Sequence, residues 1–291
     1  MKIGVSASAN ANSFSHFGSR WGEKTYEKLS SFGFTHIDFS CMGDFSSPFM
    51  TLPEEEAKAL VLYEKELADK SGMTLHQAHA PVISHAVPLT EEELTKLMEG
   101  IKRCIRLCGA ADIRFLVVHP FMVYGWSDRG SEIAKKTFER NVEILTELSD
   151  YAKGYDVTIC YENMPCIGFS ISHPHEVAEV IRKVDHPNLG MCFDTGHTMA
   201  FRCGKDIDEQ IKEVGDLIKV LHVHDTYGNA DQHNLPGIGC TDWTAVRDAL
   251  HEIGYEGVFP LELNRIHDFS IELFDEIYRI TYKMADEIIN K

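Results

Sequence analysis

The chain has 291 residues, of which 44% are hydrophobic, and its formal net charge at pH 7 is -17. This length fits one large domain or two small ones, and the apolar content is enough for a sizeable core. The strongly negative charge repels phosphate backbones and therefore argues against nucleic acid as a partner.

No apolar run approaches the roughly 20 residues that are needed to span a bilayer. The amino-terminal segment MKIGVSASANANSF lacks the basic region, long apolar stretch and cleavage site of a secretory signal. We therefore expect a cytoplasmic protein with no membrane contact. A homo-oligomer is compatible with the sequence, which is silent on the number of subunits.

Short apolar runs, typical of buried strands, alternate along the chain with amphipathic runs that predict helices. One helical run, from Pro53 to Gly72, has acidic residues in its first turn and a glycine at its end. Eight strands, each followed by a helix, predict an α/β fold: a single (β/α)8 TIM barrel over residues 1–291, with its active site at the carboxyl ends of the strands. The predicted strands are 2–8, 35–40, 74–80, 114–120, 157–163, 189–195, 218–225 and 258–264.

Four successive predicted strands carry an acid or a histidine at or near their carboxyl ends, namely Glu162, Asp194, His222 and Glu262. Such a group at the end of an apolar strand is costly to desolvate unless it meets a partner charge. No matching set of arginines or lysines is visible. The four side chains converge only if their strands lie side by side, so they predict one shared divalent metal ion. Carboxylate and imidazole ligands together suit Zn, Mn, Co or Fe.

Other histidines fall in similar places. His79 and His119 end the third and fourth predicted strands, although a single barrel histidine is more often a hydrogen-bonded core residue. His222 and His224 point the same way, because residues two apart share one face of a strand. The pattern leaves open which of these two reaches the metal.

Three further side chains are candidates for contact with a substrate. Asn163 directly follows Glu162, and Asn264 shares a strand face with Glu262. Their amides could hydrogen-bond a substrate or a ligand. Trp126 lies in an aromatic loop that the barrel would place at its catalytic end, where it could shield a small substrate from water.

The runs YEN, FDTGH, HVHD, DQHNLPGIG–DW and LEL together resemble the xylose-isomerase-like superfamily of TIM barrels. This superfamily contains sugar phosphate isomerases and epimerases of the tagatose 3-epimerase type, and abasic-site nucleases of the endonuclease IV type (AP endonuclease family 2). The resemblance follows motif order from QAHAP to LEL. The combined set of motifs is specific for the superfamily, whereas no single motif is.

The resemblance implies a shared metal site made of Glu162, Asp194, His222 and Glu262. By the same resemblance to the epimerases, Glu162 and Glu262 would also exchange protons with the sugar, and His197 would bind substrate. The nuclease type binds three zinc ions, and the residues at its additional ligand positions are His79, His119, His197, Asp231 and His233. The implied cofactor is therefore one to three divalent ions of Zn, Mn or Co.

The chain departs from the motifs of both the nuclease type and the epimerase type. The chain has ENMPCIGFS where the nuclease type has an ENTAGQG-like run, and DQH in place of DRH. It also lacks a clear match to the substrate-binding arginine of the epimerases.

The leading hypothesis is a metal-dependent sugar or sugar-phosphate isomerase or epimerase with a small carbohydrate substrate. The alternatives are an endonuclease IV-like phosphodiester hydrolase with a multinuclear zinc site, a related polyol or cyclitol lyase, and a metal-stabilised binding module.

Overall fold

Eight parallel strands form one sheet in the computed structural model, which describes residues 1–6, 21–83, 86–165, 170–201, 206–263 and 270–291. The strands are β1 (Lys2–Ser6), β2 (His36–Phe39), β3 (Thr74–His79), β4 (Phe115–Val118), β5 (Thr158–Glu162), β6 (Leu189–Asp194), β7 (Ile218–His222) and β8 (Val258–Leu261). Their order in the sheet is β7-β6-β5-β4-β3-β2-β1-β8.

The sheet closes on itself just beyond the end of β7. The Val223 N–H donates to the Pro260 carbonyl at 3.0 Å, and the Glu262 N–H donates to the Val223 carbonyl at 2.9 Å. This bridge joins the two terminal strands of the sheet order and completes a barrel. The predicted (β/α)8 barrel is confirmed.

The strands are connected by helices on the outside of the barrel. Among the described residues the helices are α1 (Thr25–Phe32), α2 (Pro48–Thr51), α3 (Glu54–Lys70), α4 (Glu91–Ala110), α5 (Glu132–Lys153), α6 (Pro174–Val184), α7 (Thr195–Ala200), α8 (Ile207–Val214), α9 (Trp243–Glu252) and α10 (Ile271–Asn290). In this part of the chain, no helix is long and apolar enough to cross a bilayer.

Local sequence explains where these helices begin. Before α4, the Thr90 hydroxyl accepts the Glu93 N–H at 3.2 Å, and the Glu93 carboxylate accepts the Thr90 N–H at 2.8 Å. This capping box satisfies two N–H groups that have no partner within the helix. The apolar face of α4, which includes Leu94, Leu97 and Ile101, is buried in the layer between helices and sheet.

A small apolar cluster fills the inside of the barrel. It consists of Val117, Cys160, Cys192 and Val220, all fully buried. Each of these residues lies two positions before a predicted ligand, namely His119, Glu162, Asp194 and His222. Because alternate residues of a strand share one face, this cluster forms a layer directly beneath the candidate ligands. The candidate ligands are therefore supported from below by packed apolar side chains.

The predicted strands are in the right places but extend too far at their carboxyl ends. β4 ends at Val118 and β8 ends at Leu261, so His119 and Glu262 lie one residue beyond their strands. The last part of the first predicted strand and Asn264 lie outside the described residues.

Candidate metal centre

The four predicted ligands come together at the carboxyl ends of neighbouring strands. Glu162, Asp194 and His222 are the last residues of β5, β6 and β7, and Glu262 directly follows β8. We call them the four-residue group. Their ligand atoms all lie within 4.8 Å of one another. His222 Nδ1 is 2.7 Å from Glu162 Oε1, 3.4 Å from Glu262 Oε2 and 3.9 Å from Asp194 Oδ2.

The burial of this group fits a divalent cation. Glu162 is 1% exposed and Asp194 is 0% exposed, so two carboxylates share a site almost without water. Like charges in such a site repel unless a cation or protons compensate them. Glu162 Oε2 is buried without a hydrogen bond among the described residues. Oxygen and imidazole donors at these separations are the ligands that Zn, Mn and Co accept.

The electrostatics of the group depend on its histidines. Burial alone would raise the pKa of Glu162, but the charge of His222 and the adjacent imidazoles of His119 and His79 hold it well below its usual range. Burial would lower the pKa of His222, yet the surrounding acidic groups, including Glu162 and Glu262, raise it well above its usual range.

A second group forms on the other oxygen of Glu162. His79 Nε2 lies 3.4 Å and His119 Nε2 lies 3.1 Å from Glu162 Oε2, and the two histidine nitrogens are 3.0 Å apart. The His79 Nδ1–H donates to the Ala80 carbonyl at 2.7 Å, which leaves Nε2 as the atom that can bind a metal. We call His79, His119 and Glu162 the two-histidine group. Glu162 therefore faces two candidate ion positions, one with each oxygen.

A third group, the loop group, consists of His197, His224, Asp231 and His233. His233 Nε2 lies 3.2 Å from Asp231 Oδ1, and its ring stacks on His224 at a centroid distance of 3.9 Å. His197 Nε2 lies 3.5 Å from Asp231 Oδ2. Burial would lower the pKa of His233, but Glu262 and Asp231 raise it to about 9. The five additional positions implied by resemblance to the nuclease type thus all lie in the second and third groups.

Of the two histidines in and after β7, His222 belongs to the four-residue group. His222 is the last residue of β7 and points at Glu162, whereas His224 lies beyond the strand. His224 Nε2 is 3.1 Å from Asp194 Oδ1 and 4.0 Å from Asp231 Oδ1. His224 therefore connects the four-residue group with the loop group, a position that the alternation of strand residues did not indicate.

Hydrogen bonds to the backbone hold Asp194 in place. Its N–H donates to Asn163 Oδ1 at 2.8 Å, and Asn163 Nδ2 donates to the Asp194 carbonyl at 3.0 Å. Asp194 Oδ1 accepts the His197 N–H at 2.6 Å and so caps α7. Asn163, for which the sequence predicts a hydrogen bond to substrate or to a ligand, has a fully buried amide that bonds to the backbone of the ligand Asp194 and to Thr198.

The loop that carries Asp231 and His233 depends on Asp225, which sequence reasoning missed. The buried Asp225 carboxylate accepts N–H groups of Thr226, Gly237 and Thr241 and the indole N–H of Trp243, at 2.8 to 3.2 Å. Its partners are mostly backbone groups, which leave no mark on the sequence.

Two other side chains, Trp126 and Cys192, lie outside these three groups. Trp126 is 49% exposed in the loop after β4, where an aromatic surface could meet substrate. Cys192 lies within 4.8 Å of Glu162 and His222. Burial raises the pKa of the Cys192 thiol well above its usual range.

Comparison with known proteins identifies the family of this chain. Residues 26–278 match the model of the family described as xylose isomerase-like TIM barrel. The chain belongs to that family. The resemblance deduced from the motifs is thereby confirmed.

Sequence relatives include the uncharacterised protein MJ1311 of Methanocaldococcus jannaschii, 31% identical over 78% of this chain and 78% of its own length. The inosose isomerase of Bacillus licheniformis is 25% identical over 67% of this chain and 70% of its own length. These identities extend over most of the barrel.

Solved structures of the same fold include a D-tagatose 3-epimerase-like protein, with 26% identity, 99% coverage of both chains and a TM-score of 0.71. The IolI protein, described with a zinc atom, matches with 20% identity, a TM-score of 0.74, and coverage of 99% of this chain and 98% of its own. At that identity, the second match supports the fold alone.

Proposed function

We propose that this xylose isomerase-like barrel is a metal-dependent isomerase or epimerase of a small sugar or sugar phosphate. The observation that carries the proposal is the four-residue group, in which three carboxylates and one imidazole from successive strands converge within 4.8 Å. An inosose isomerase among the relatives and an epimerase-like protein among the structural matches support this reaction class.

The donor set would hold one divalent ion between Glu162, Asp194, His222 and Glu262. Such an ion polarises a carbonyl group, which makes a neighbouring C–H bond acidic enough to lose its proton. Zn, Mn and Co each fit these ligands.

Proton transfer would be the work of the two glutamates. Glu262 has the more accessible side chain of the pair, 17% exposed against 1% for Glu162. In this proposal one carboxylate removes the proton from the carbon beside the carbonyl, and the other, which starts protonated, delivers its proton to form the product, so that the two exchange protonation states in each turnover. Transfer by a positioned carboxylate typically contributes about 10²–10⁴-fold to the rate.

Substrate contacts would come from the residues around this pair. His197 Nδ1 donates to the Asn163 carbonyl at 2.9 Å, so its Nε2 faces the loop group and the site above it. We assign substrate contacts to His197 and Trp126, whereas the His224 ring is fully buried and would act through its contacts with Asp194 and His233. An indole ring and an imidazole suit the apolar faces and hydroxyl groups of a small carbohydrate.

The test is proton exchange in deuterated water. Metal-loaded protein is incubated with a panel of ketoses, aldoses, inososes and their phosphates, and deuterium incorporation and epimer formation are followed by NMR. We expect Glu162→Gln and Glu262→Gln to abolish exchange. Glu64→Gln is a matched control, because Glu64 is a half-buried acid that binds Tyr26 at 2.7 Å, outside the three groups. Full exchange in both site variants would refute the acid–base pair.

A second candidate function rests on a specific observation, the position of Glu162 between two candidate ion positions. With ions in the two-histidine and loop groups, the site would resemble a multinuclear hydrolase centre, where several ions activate water and hold a phosphodiester. The discriminating measurement is zinc content per chain, together with cleavage of an abasic-site duplex at low salt. Near three zinc ions with cleavage supports the hydrolase, and one ion without cleavage supports the isomerase.

A further inference from the structure

A buried carboxylate lies behind the strand-7 ligand, on the side away from the four-residue group. Asp38, in β2, is 1% exposed, and its Oδ2 atom lies 3.2 Å from His222 Nε2. The two atoms face each other, and neither makes a hydrogen bond of regular geometry with any of the described residues. His222 therefore has acidic groups on both sides: Asp38 at Nε2, and the three carboxylates of the four-residue group at Nδ1.

The other oxygen of Asp38 is held by a short polar chain. Ser40 Oγ donates to Asp38 Oδ1 at 2.9 Å, and Ser6 Oγ lies 3.1 Å from Ser40 Oγ. Ser6 is paired with Asp38 across β1 and β2. The carboxylate is thus fixed from the strand side, and its Oδ2 atom is aimed at the imidazole.

The carboxylates on the two sides of His222 influence which of its ring nitrogens carries the proton. A neutral imidazole carries a single N–H, and only the nitrogen without it can bind a metal. Glu162 Oε1, 2.7 Å from Nδ1, favours a proton there, where it would block the metal. Asp38 favours the proton on Nε2 instead, which leaves the Nδ1 lone pair directed at Glu162, Asp194 and Glu262.

We propose that Asp38 is a positioning residue that holds His222 in the tautomer that binds metal. The inference rests on the metal site of the proposed function, but not on the isomerase reaction. Carboxylates that orient metal-bound histidines typically contribute about 10–100-fold to metal affinity.

The test is Asp38→Asn, which has nearly the same shape. Ser40 Oγ, which donates to Asp38 Oδ1, keeps the amide oxygen on its own side, so that the amide N–H faces His222 Nε2. Donation to Nε2 requires that this nitrogen is unprotonated, and it places the proton of the neutral ring on Nδ1. Affinity for Zn and Co is measured without substrate, by competition with a chromophoric chelator. ¹⁵N NMR of the histidine rings reports which nitrogen carries the proton. We expect a 10–100-fold weaker affinity and, in the metal-free protein at a pH where the His222 ring is neutral, an Nε2–H signal that is present in the wild type and lost in the variant.

Glu64→Gln serves as the control for general destabilisation, since it alters a half-buried carboxylate that does not touch the ligands. We expect it to lower the urea midpoint of the metal-free protein without changing metal affinity. Wild-type affinity in Asp38→Asn overturns the inference, and so does an affinity loss in both variants that follows their loss of stability. A wild-type protein that binds no metal overturns it together with the proposed function. A protein that binds metal but exchanges no proton with any sugar overturns the proposed function alone.

Discussion

Gly196→Ala tests whether His224 is fixed in place by its neighbours. Gly196 is the second residue of α7, between Asp194 and His197. A Cβ atom there would overlap three atoms of the His224 ring. The ring has no free space to retreat into, because it is fully buried, stacked on His233 and 3.1 Å from Asp194.

The expected magnitude follows from two opposing terms. Replacing a helical glycine by alanine ordinarily stabilises a protein by about 0.5–1 kcal/mol. Overpacking a buried site costs about 1–3 kcal/mol. We therefore expect Gly196→Ala to destabilise the wild type by up to about 2.5 kcal/mol. In a His224→Ala background, the space is vacant and the same change should stabilise by about 0.5–1 kcal/mol.

The assay is a double-mutant cycle by urea unfolding of metal-free protein. The gain from alanine is the same in both backgrounds, so the coupling free energy equals the overpacking cost of about 1–3 kcal/mol, within the range for residues in contact. Gly154→Ala is a matched control, because a Cβ atom at Gly154 meets only the Tyr151 carbonyl, at 3.4 Å. If Gly196→Ala costs the same in both backgrounds, or is as benign as Gly154→Ala, the assigned position of His224 is wrong.

Three further expectations concern metal removal, a loop and pH. Chelation should lower the thermal midpoint, and added Zn or Mn should restore it, because a ligand of the folded state stabilises it by mass action; an unchanged midpoint would argue against a metal site. Asp225→Asn should cost about 2–3 kcal/mol, because an amide cannot accept all four N–H groups, and should speed proteolysis of the 226–241 loop; wild-type resistance would contradict the role given to Asp225. Burial lowers the pKa of His36 and of His76 from 6.5 to about 4. Because the unfolded state binds more protons in this window, stability should fall as pH decreases from 6.5 to 4. Replacing both histidines by glutamine should flatten that part of the urea-midpoint profile relative to wild type, and parallel profiles would refute the assignment.

Much of the barrel could be predicted from sequence because the physical signal is local. An apolar run of strand length that ends in an acid or histidine fixes both the strand and the face of its last side chain. Glu162, Asp194 and His222 follow this pattern, and the structure brings them together with Glu262. Parallel strands in a barrel necessarily bring their carboxyl ends to one face.

The features that could not be predicted from the sequence depend on where strands end and on contacts between residues distant in the chain. His222 and His224 would share one face if β7 continued, but the strand ends at His222 and the chain then pairs with β8 through Val223. The side chain of His224 therefore turns toward the loop group. Asp38 was missed because its significance comes from His222, which lies five strands further along the chain and on the other side of the barrel interior.

Glu162 links the number of bound ions to the type of reaction. Its Oε1 atom faces His222, and its Oε2 atom faces His79 and His119. An acid–base role requires one oxygen that is free to take a proton, which holds only while the two-histidine group carries no ion. Ions in both groups would each take one oxygen of Glu162 as a ligand, and Glu162 would then have no oxygen left to accept a proton from a substrate carbon. The same residues can therefore support an isomerase with one ion or a hydrolase with several, but a chain with both groups filled cannot use Glu162 as its base.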